Sequence, residues 1–88
     1  MEEKIKNCLE KIANKKLKMI TMELFDNLAY DLFSKRQFVN NYGAIEIATH
    51  LNKFHNLKEV MSPEFVLDNK YLAEMIDLLE EWILELAK

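Results

Sequence analysis

Glycine and proline, the residues that most often let a chain turn, are almost absent from this sequence. Among its 88 residues only Gly43 and Pro63 belong to these types. A chain with so few turning points favours long helices over a meander of short strands. Four segments also carry apolar residues at helical spacing. The sequence therefore predicts one all-α domain, residues 1–88, folded as a four-helix bundle.

The apolar spacing places the predicted helices along the chain. The first covers about residues 2–16 and is followed by an extended connection near residues 17–20 and one short helix, with Thr21 as a possible cap. Another helix covers about residues 41–55. Ser62, Pro63 and Glu64 then predict the start of a short third helix, because Ser is a good cap and Pro suits a first helical position. The last helix, about residues 69–87, has the most regular apolar stripe: Leu72, Met75, Ile76, Leu79, Trp82, Ile83 and Leu86.

Composition excludes several classes of protein. No apolar run approaches the roughly 18 to 20 residues of a membrane span, and the N-terminus lacks the layout of a secretory signal. Cys8 is the only cysteine, so we expect a buried thiol and a cytoplasmic protein. Nucleic-acid binding is disfavoured by the net charge of −3. That charge is uneven, since residues 1–20 carry six lysines against three acids and residues 59–88 carry eight acids against two lysines.

The sequence offers no set of catalytic or metal-binding residues. His50 and His55 are five positions apart, so they project from a helix in different directions and make a poor pair of ligands. No Ser-His-Asp order, Cys-His pair or glycine-rich phosphate loop is present. We expect neither enzymatic activity nor a metal site. Four methionines and three phenylalanines are interpreted as core packing: Met19, Met22, Met61, Met75, Phe25, Phe33 and Phe54.

Residues 38–47 read Phe-Val-Asn-Asn-Tyr-Gly-Ala-Ile-Glu-Ile. This segment resembles the turn at which acyl and peptidyl carrier proteins attach phosphopantetheine, in which Asp-Ser is followed by an aromatic residue, Gly, a small residue and an apolar-Glu-apolar triplet. Three further segments are similar to carrier motifs: residues 31–33, residues 51–54 and the segment from Pro63 to Asn69. The resemblance spans roughly residues 4–82. It implies an acyl-carrier-like bundle with three long helices, one short third helix and a long loop after helix 1.

The resemblance fails at the residue that matters most for a carrier. Asn41 stands where the attachment serine would be, and an amide has no hydroxyl with which to form the phosphodiester. No cofactor is therefore expected, and phosphopantetheine would be held only if Asn41 replaces a native serine. The helix after the turn keeps Glu46 but carries His50, Lys53 and His55 at positions where carriers often have acids. Steering towards basic partner surfaces would be weaker there.

The leading hypothesis is a carrier-like domain that cannot be phosphopantetheinylated. It would act as a monomer, by contact with enzymes of acyl or aminoacyl transfer. One alternative is a genuine acyl or aminoacyl carrier whose serine has been altered, and another is an unrelated small helical inhibitor or immunity-type protein. Tyr42 is expected to anchor the partner. The full set of residues expected in the contact is Asn40, Asn41, Tyr42, Ile45, Glu46, Thr49, His50 and Phe65.

Overall fold

A computed structural model describes the backbone of residues 2–34 and 41–86 and the side chains of residues 2–32 and 45–85. Four helices account for most of this part of the chain: α1 (Glu2–Lys11), α2 (Lys15–Ser34), α3 (Asn41–Val60) and α4 (Val66–Leu86). No strand occurs in the described ranges. The prediction of an all-α four-helix bundle is confirmed.

The four helices enclose one apolar core. Helix α1 packs mainly against α4, α2 packs against α3, and α3 also packs against α4. The rings of Phe25 and Trp82 stack with their centroids 6.4 Å apart, which joins α2 to α4. Burial of large apolar side chains is the main stabilising term in a domain of this size. The fully buried apolar residues are Ile5, Ile12, Leu28, Leu32, Phe54, Leu72, Met75 and Leu79.

The bounds of the first two helices differ from the prediction. Helix α1 ends at Lys11, and α2 resumes at Lys15. The cause is a cap at Asn14, whose Oδ1 accepts a hydrogen bond from the Leu17 N–H at 2.9 Å. A side-chain acceptor placed before the first helical residue satisfies an N–H group that the helix itself leaves unpaired. Residues 17–20 are therefore helical, and the predicted extended connection is wrong.

Asp68 holds the break between α1 and α2 in place from the other end of the sequence. Its Oδ1 accepts from the Ala13 N–H at 2.9 Å, and its Oδ2 accepts from the Asn14 N–H at 3.2 Å. The residue is only 4% exposed. Both oxygens of a buried carboxylate are thus occupied by backbone donors, which is how a protein accommodates such a group.

The predicted long loop after helix 1 is also wrong for the described residues, because α2 occupies residues 15–34. Thr21 does not cap a helix. It lies inside α2, where it is fully buried and its hydroxyl donates to the Leu17 carbonyl oxygen at 2.7 Å. A threonine can satisfy its hydroxyl inside a helix in this way. The presence of Thr21 therefore does not indicate where a helix begins.

The predicted short third helix does not form. Helix α3 continues past residue 55 to Val60 because Leu57 still packs on the core. Residues 62–65 form a turn in which the Phe65 N–H donates to the Ser62 carbonyl oxygen at 3.1 Å. Helix α4 then starts at Val66. Its predicted stripe is confirmed from Leu72 to Ile83, while the Leu86 side chain lies outside the described residues.

Candidate functional site

An apolar groove of about 410 Å³ opens between the start of α2 and the end of α3. We call it the α2–α3 groove. Helices α2 and α3 contribute two of its apolar residues each, and the segment between α3 and α4 contributes two. These six residues are Leu17, Ile20, Leu57, Val60, Met61 and Phe65.

The groove is built on residues that are buried or partly buried at this end of the bundle. Leu17 is buried, and its backbone N–H is the group that Asn14 caps. Leu57 and Met61 are partly buried and pack against the main core. The floor of the groove is therefore continuous with the core, while Ile20 and Val60 remain accessible to solvent.

Large apolar side chains stand exposed around the groove. Val60 is 78% exposed, Met19 is 72% exposed and Val66 is 70% exposed. Met19 follows Lys16, which lines the groove, by one helical turn. Val66 lines a second hollow of about 310 Å³ that shares Ser62 and Phe65 with the groove. Scattered exposed apolar residues are ordinary, but several around one groove make it a candidate interaction site. The core-packing interpretation is thus wrong for two exposed methionines, Met19 and Met22. It is right for Met75, Phe25 and Phe54 and in part for Met61, while the Phe33 side chain lies outside the described residues.

The charge at this end of the molecule is positive, although the whole chain carries −3. Residues 14–20 and 57–70 together contain five lysines and three acids. One of the acids is Asp68, which is buried and accepts two hydrogen bonds. Lys15 and Lys16 are exposed on α2, and Lys58 is half-buried in the last turn of α3. The groove therefore has an apolar interior and a basic rim, in which Lys16 is the charged lining residue and lysines outnumber acids in the adjoining segments.

The structure separates the residues that the sequence grouped into one contact surface. Ile45 is 62% exposed near the start of α3. Thr49 is also exposed, and its hydroxyl donates to the Ile45 carbonyl oxygen at 2.9 Å. Phe65 lies beyond the far end of the same helix. The rise from Ile45 to Val60 is about 22 Å, at 1.5 Å per residue. Phe65 therefore belongs to the α2–α3 groove and not to the surface around Ile45.

Part of the predicted surface lies outside the described residues. Asn40 is not described, and only the backbone of Asn41 and Tyr42 is described, at the start of α3. Glu46 is half-buried. The expected roles of these four residues remain predictions.

His50 makes a contact that the sequence did not predict. Its Nε2 lies 2.5 Å from Asp31 Oδ2, which joins α3 to α2, and both side chains are largely buried. Its Nδ1 is buried and has no hydrogen-bond partner. His55 lies 3.3 Å from Glu80 with both side chains about half exposed, and such a pair contributes little stability. Among the described side chains, no three possible ligands lie close enough together to hold a metal ion.

Cys8 has the environment of a structural thiol. It is buried between α1 and α4, and its S–H donates to Glu74 Oε2 at 3.9 Å. Burial raises the pKa of the Cys8 thiol, the negative charge of Glu74 raises it further, and Lys11 acts in the opposite direction. A thiol held in its protonated form is a poor nucleophile, which agrees with the expected structural role.

Sequence reasoning missed the groove because it treated residues 17–20 as extended. The local evidence was Asn14, a residue type that commonly caps helices, standing just before Lys15. As a helix, residues 15–20 place Leu17 and Ile20 one turn apart on the same side. Because α3 continues to Val60 and does not end near residue 55, Leu57 and Val60 are helical and form the opposite wall of the groove.

The fold and the groove together define a small helical-bundle protein that carries an apolar, basic-rimmed groove between α2 and α3. No helix in the described ranges is long and apolar enough to cross a bilayer. Comparison with protein families, curated proteins and solved structures found no match to this chain.

Proposed function

We propose that this chain is a non-catalytic protein that acts by binding a segment of another protein in the α2–α3 groove. The observation that carries the proposal is a set of exposed apolar side chains: Val60, Met19 and Val66 are each at least 70% exposed beside an apolar groove. Leaving apolar surface in water costs about 25 cal/mol per Å². A bound partner would remove that cost.

The shape of the groove favours a helical segment as the ligand. Its walls are two neighbouring helices, α2 and α3, and its apolar residues recur one turn apart on each: Leu17 and Ile20 on α2, and Leu57 and Val60 on α3. A helix with apolar side chains on one face fits such a surface in the way that helices pack within a bundle.

Site-specific photocrosslinking tests this proposal. We expect a benzophenone amino acid at Val60 to give a discrete heavier adduct in cells of the source organism, and the additional substitution Ile20→Asp to abolish it. An aspartate inside an apolar contact would have to be buried without a partner. The adduct is read by immunoblot and identified by mass spectrometry.

The same probe at Ile45 is the matched control, because Ile45 and Val60 are both exposed apolar residues on α3. Val60 adducts without Ile45 adducts support the groove. The reverse result would place the partner on the surface expected from the carrier resemblance, and adducts at neither position would contradict both surfaces.

The resemblance to carrier proteins supports a narrower proposal about the partner. Under it, the chain is a carrier-like protein without an attachment serine, and its partners are enzymes of acyl or aminoacyl transfer. The order of motifs from residue 31 to residue 69 supports it. Two implied features are absent from the described fold, namely a long loop after helix 1 and a short third helix. The groove proposal therefore does not depend on the resemblance.

Intact-mass measurement tests the carrier proposal and its alternative directly. The chain and an Asn41→Ser variant are incubated with coenzyme A and a broad-specificity phosphopantetheinyl transferase. We expect only the serine variant to gain the mass of the prosthetic group, because only a hydroxyl can accept it. Far-UV circular dichroism checks that both proteins are folded.

The other outcomes each exclude something. If neither protein is modified, the carrier resemblance loses its support and an unrelated inhibitor or immunity-type protein becomes the better interpretation. Modification of the unaltered chain would show that Asn41 does not occupy the attachment position. A genuine carrier with an altered serine is distinguished by thioester formation after the Asn41→Ser variant is loaded.

A further inference from the structure

We infer that the partner segment is an amphipathic helix whose flanks are acidic. This inference rests on the proposed function and names the chemistry of the partner at the same groove. Its basis is the juxtaposition of an apolar interior with a basic rim in a chain that is acidic as a whole.

The lysines are placed where the polar edges of a bound helix would lie. Lys16 lines the groove on α2 beside Leu17 and Ile20. Lys58 does not line the groove itself, but it directly follows the lining residue Leu57 on α3 and is half-buried. A helix seated between the two walls would therefore have the Lys16 ammonium group at its α2 edge and Lys58 close to its α3 edge. Two acids on the same end, Glu59 and Glu64, are exposed but do not line the groove.

Charge complementarity of this kind acts mainly on selection and on the rate of encounter. Rim charges attract a ligand of opposite sign and disfavour one of like sign, and their effect falls as salt increases. The apolar residues would supply most of the affinity, and the lysines would select among apolar helices.

A second copy of this chain is a poorer occupant. The outer face of α4 has the right charge, with Asp77, Glu80, Glu81 and Glu85 all exposed. Its C-terminal half, however, offers Leu84 as the single exposed large apolar side chain among the described residues. One apolar anchor cannot fill a groove lined by six apolar residues.

A small anionic amphiphile such as a fatty acid is also a poorer fit. It could enter a space of about 410 Å³, and Lys16 could meet its carboxylate. It would nevertheless leave the exposed side chains of Val60, Met19 and Val66 in water. A helix covers a wider surface than a single acyl chain does.

Three labelled peptides test the inference on the intact chain by fluorescence anisotropy. Each is about 15 residues long, or roughly four helical turns. The first has leucines at i, i+3, i+4 and i+7 and glutamates elsewhere on its flanks. The second keeps the leucines and carries lysines on its flanks, and the third keeps the glutamates and replaces each leucine with alanine.

We expect the acidic leucine peptide to bind at least about tenfold more tightly than the basic one at low salt, with the difference shrinking at high salt. The alanine peptide should bind weakly at every salt concentration. The double variant Lys16→Glu and Lys58→Glu should reverse the preference between acidic and basic peptides. A double variant with the same change in charge away from the groove, Lys4→Glu and Lys6→Glu, alters two exposed residues of α1 and should keep it.

The results that overturn the inference are separable from failure of the proposed function. If the acidic and basic leucine peptides bind equally well, and the Ile20→Asp variant binds neither, the inference is overturned. The groove then remains a binding site. Tight binding of the alanine peptide, or no binding of any peptide, would also overturn the inference, and the Val60 crosslink then decides the proposed function independently. Self-association that Ile20→Asp abolishes would identify a second copy as the occupant, and displacement of the acidic leucine peptide by dodecanoate would identify an amphiphile.

Discussion

Replacing Asp68 with alanine is expected to lower the free energy of unfolding by about 3 kcal/mol. The carboxylate accepts hydrogen bonds from the Ala13 and Asn14 N–H groups and is 4% exposed. Alanine would remove a charged acceptor from two backbone donors, of which Ala13 is exposed and Asn14 is half-buried. A hydrogen bond to a charged group contributes about 1.5 to 3 kcal/mol, and water replaces part of that contribution at a donor that it can reach.

Urea denaturation followed by far-UV circular dichroism measures this change. Asp77→Ala is the matched control, because Asp77 is exposed on the same helix, and we expect it to change stability by less than about 0.5 kcal/mol. Asp68→Asn should fall between the two, since the amide keeps one acceptor oxygen and places N–H donors where the other oxygen was. If Asp68→Ala were as mild as Asp77→Ala, the break between α1 and α2 would not depend on this carboxylate.

Asp68 also bears on the candidate site. The Asn14 N–H that it binds belongs to the residue whose side chain caps α2 at Leu17, and Leu17 is a wall of the groove. A single buried acid in the first turn of α4 thus fixes where α2 starts. Partial loss of groove binding in a folded Asp68→Asn variant would be consistent with this role.

The last helix was the easiest part of the fold to predict. Its apolar residues recur with helical period over most of its length, and this periodicity comes from the core that it faces. Leu72, Met75 and Leu79 are fully buried, as the stripe predicts. Four helices were also predictable, because four apolar stripes with one glycine and one proline leave few other architectures.

The start of α2 was hard to predict because its cause is partly remote. Asn14 is a local cap. The acceptor of the neighbouring Ala13 and Asn14 N–H groups, however, is Asp68, which is more than 50 residues away in sequence. A sequence pattern does not show which acid will meet which backbone donor. The strong helix-start motif at Ser62, Pro63 and Glu64 failed for a local reason. The Phe65 N–H donates to the Ser62 carbonyl oxygen and closes a turn, and the helix begins at Val66.

The candidate groove could be predicted only in part. Phe65 was expected in a contact surface and does line the groove. The resemblance to carriers grouped it with Ile45, which is separated by about 22 Å of helical rise from Val60, a residue that lines the groove together with Phe65. The exposed apolar side chains around the groove were not predictable, since no pattern in the sequence shows that Met19 or Val60 faces water while Met75 does not.

Phe54→Ala is expected to have the largest effect of any single substitution proposed, a loss of about 3 to 5 kcal/mol. Phe54 is fully buried on α3 and belongs to the main core. Removing its ring loses the transfer free energy of the buried atoms and leaves a cavity that the four helices cannot fully close. A domain of this length has a stability of only about 4 to 13 kcal/mol. We therefore expect the variant to be folded at low temperature and to unfold at a much lower temperature than the unaltered chain.

Thermal and urea denaturation measure the loss, with Tyr30→Ala as the control. Tyr30 is an aromatic residue exposed on α2, so its removal should change stability by less than about 0.5 kcal/mol. Equal effects at the two sites would mean that Phe54 does not lie in the core.

The Phe54 variant also separates stability from binding, because Phe54 does not line the groove. While the variant remains folded, the Val60 crosslink should persist, whereas Ile20→Asp should remove the crosslink with little loss of stability. This opposite response is what a binding surface built on top of an independent core requires.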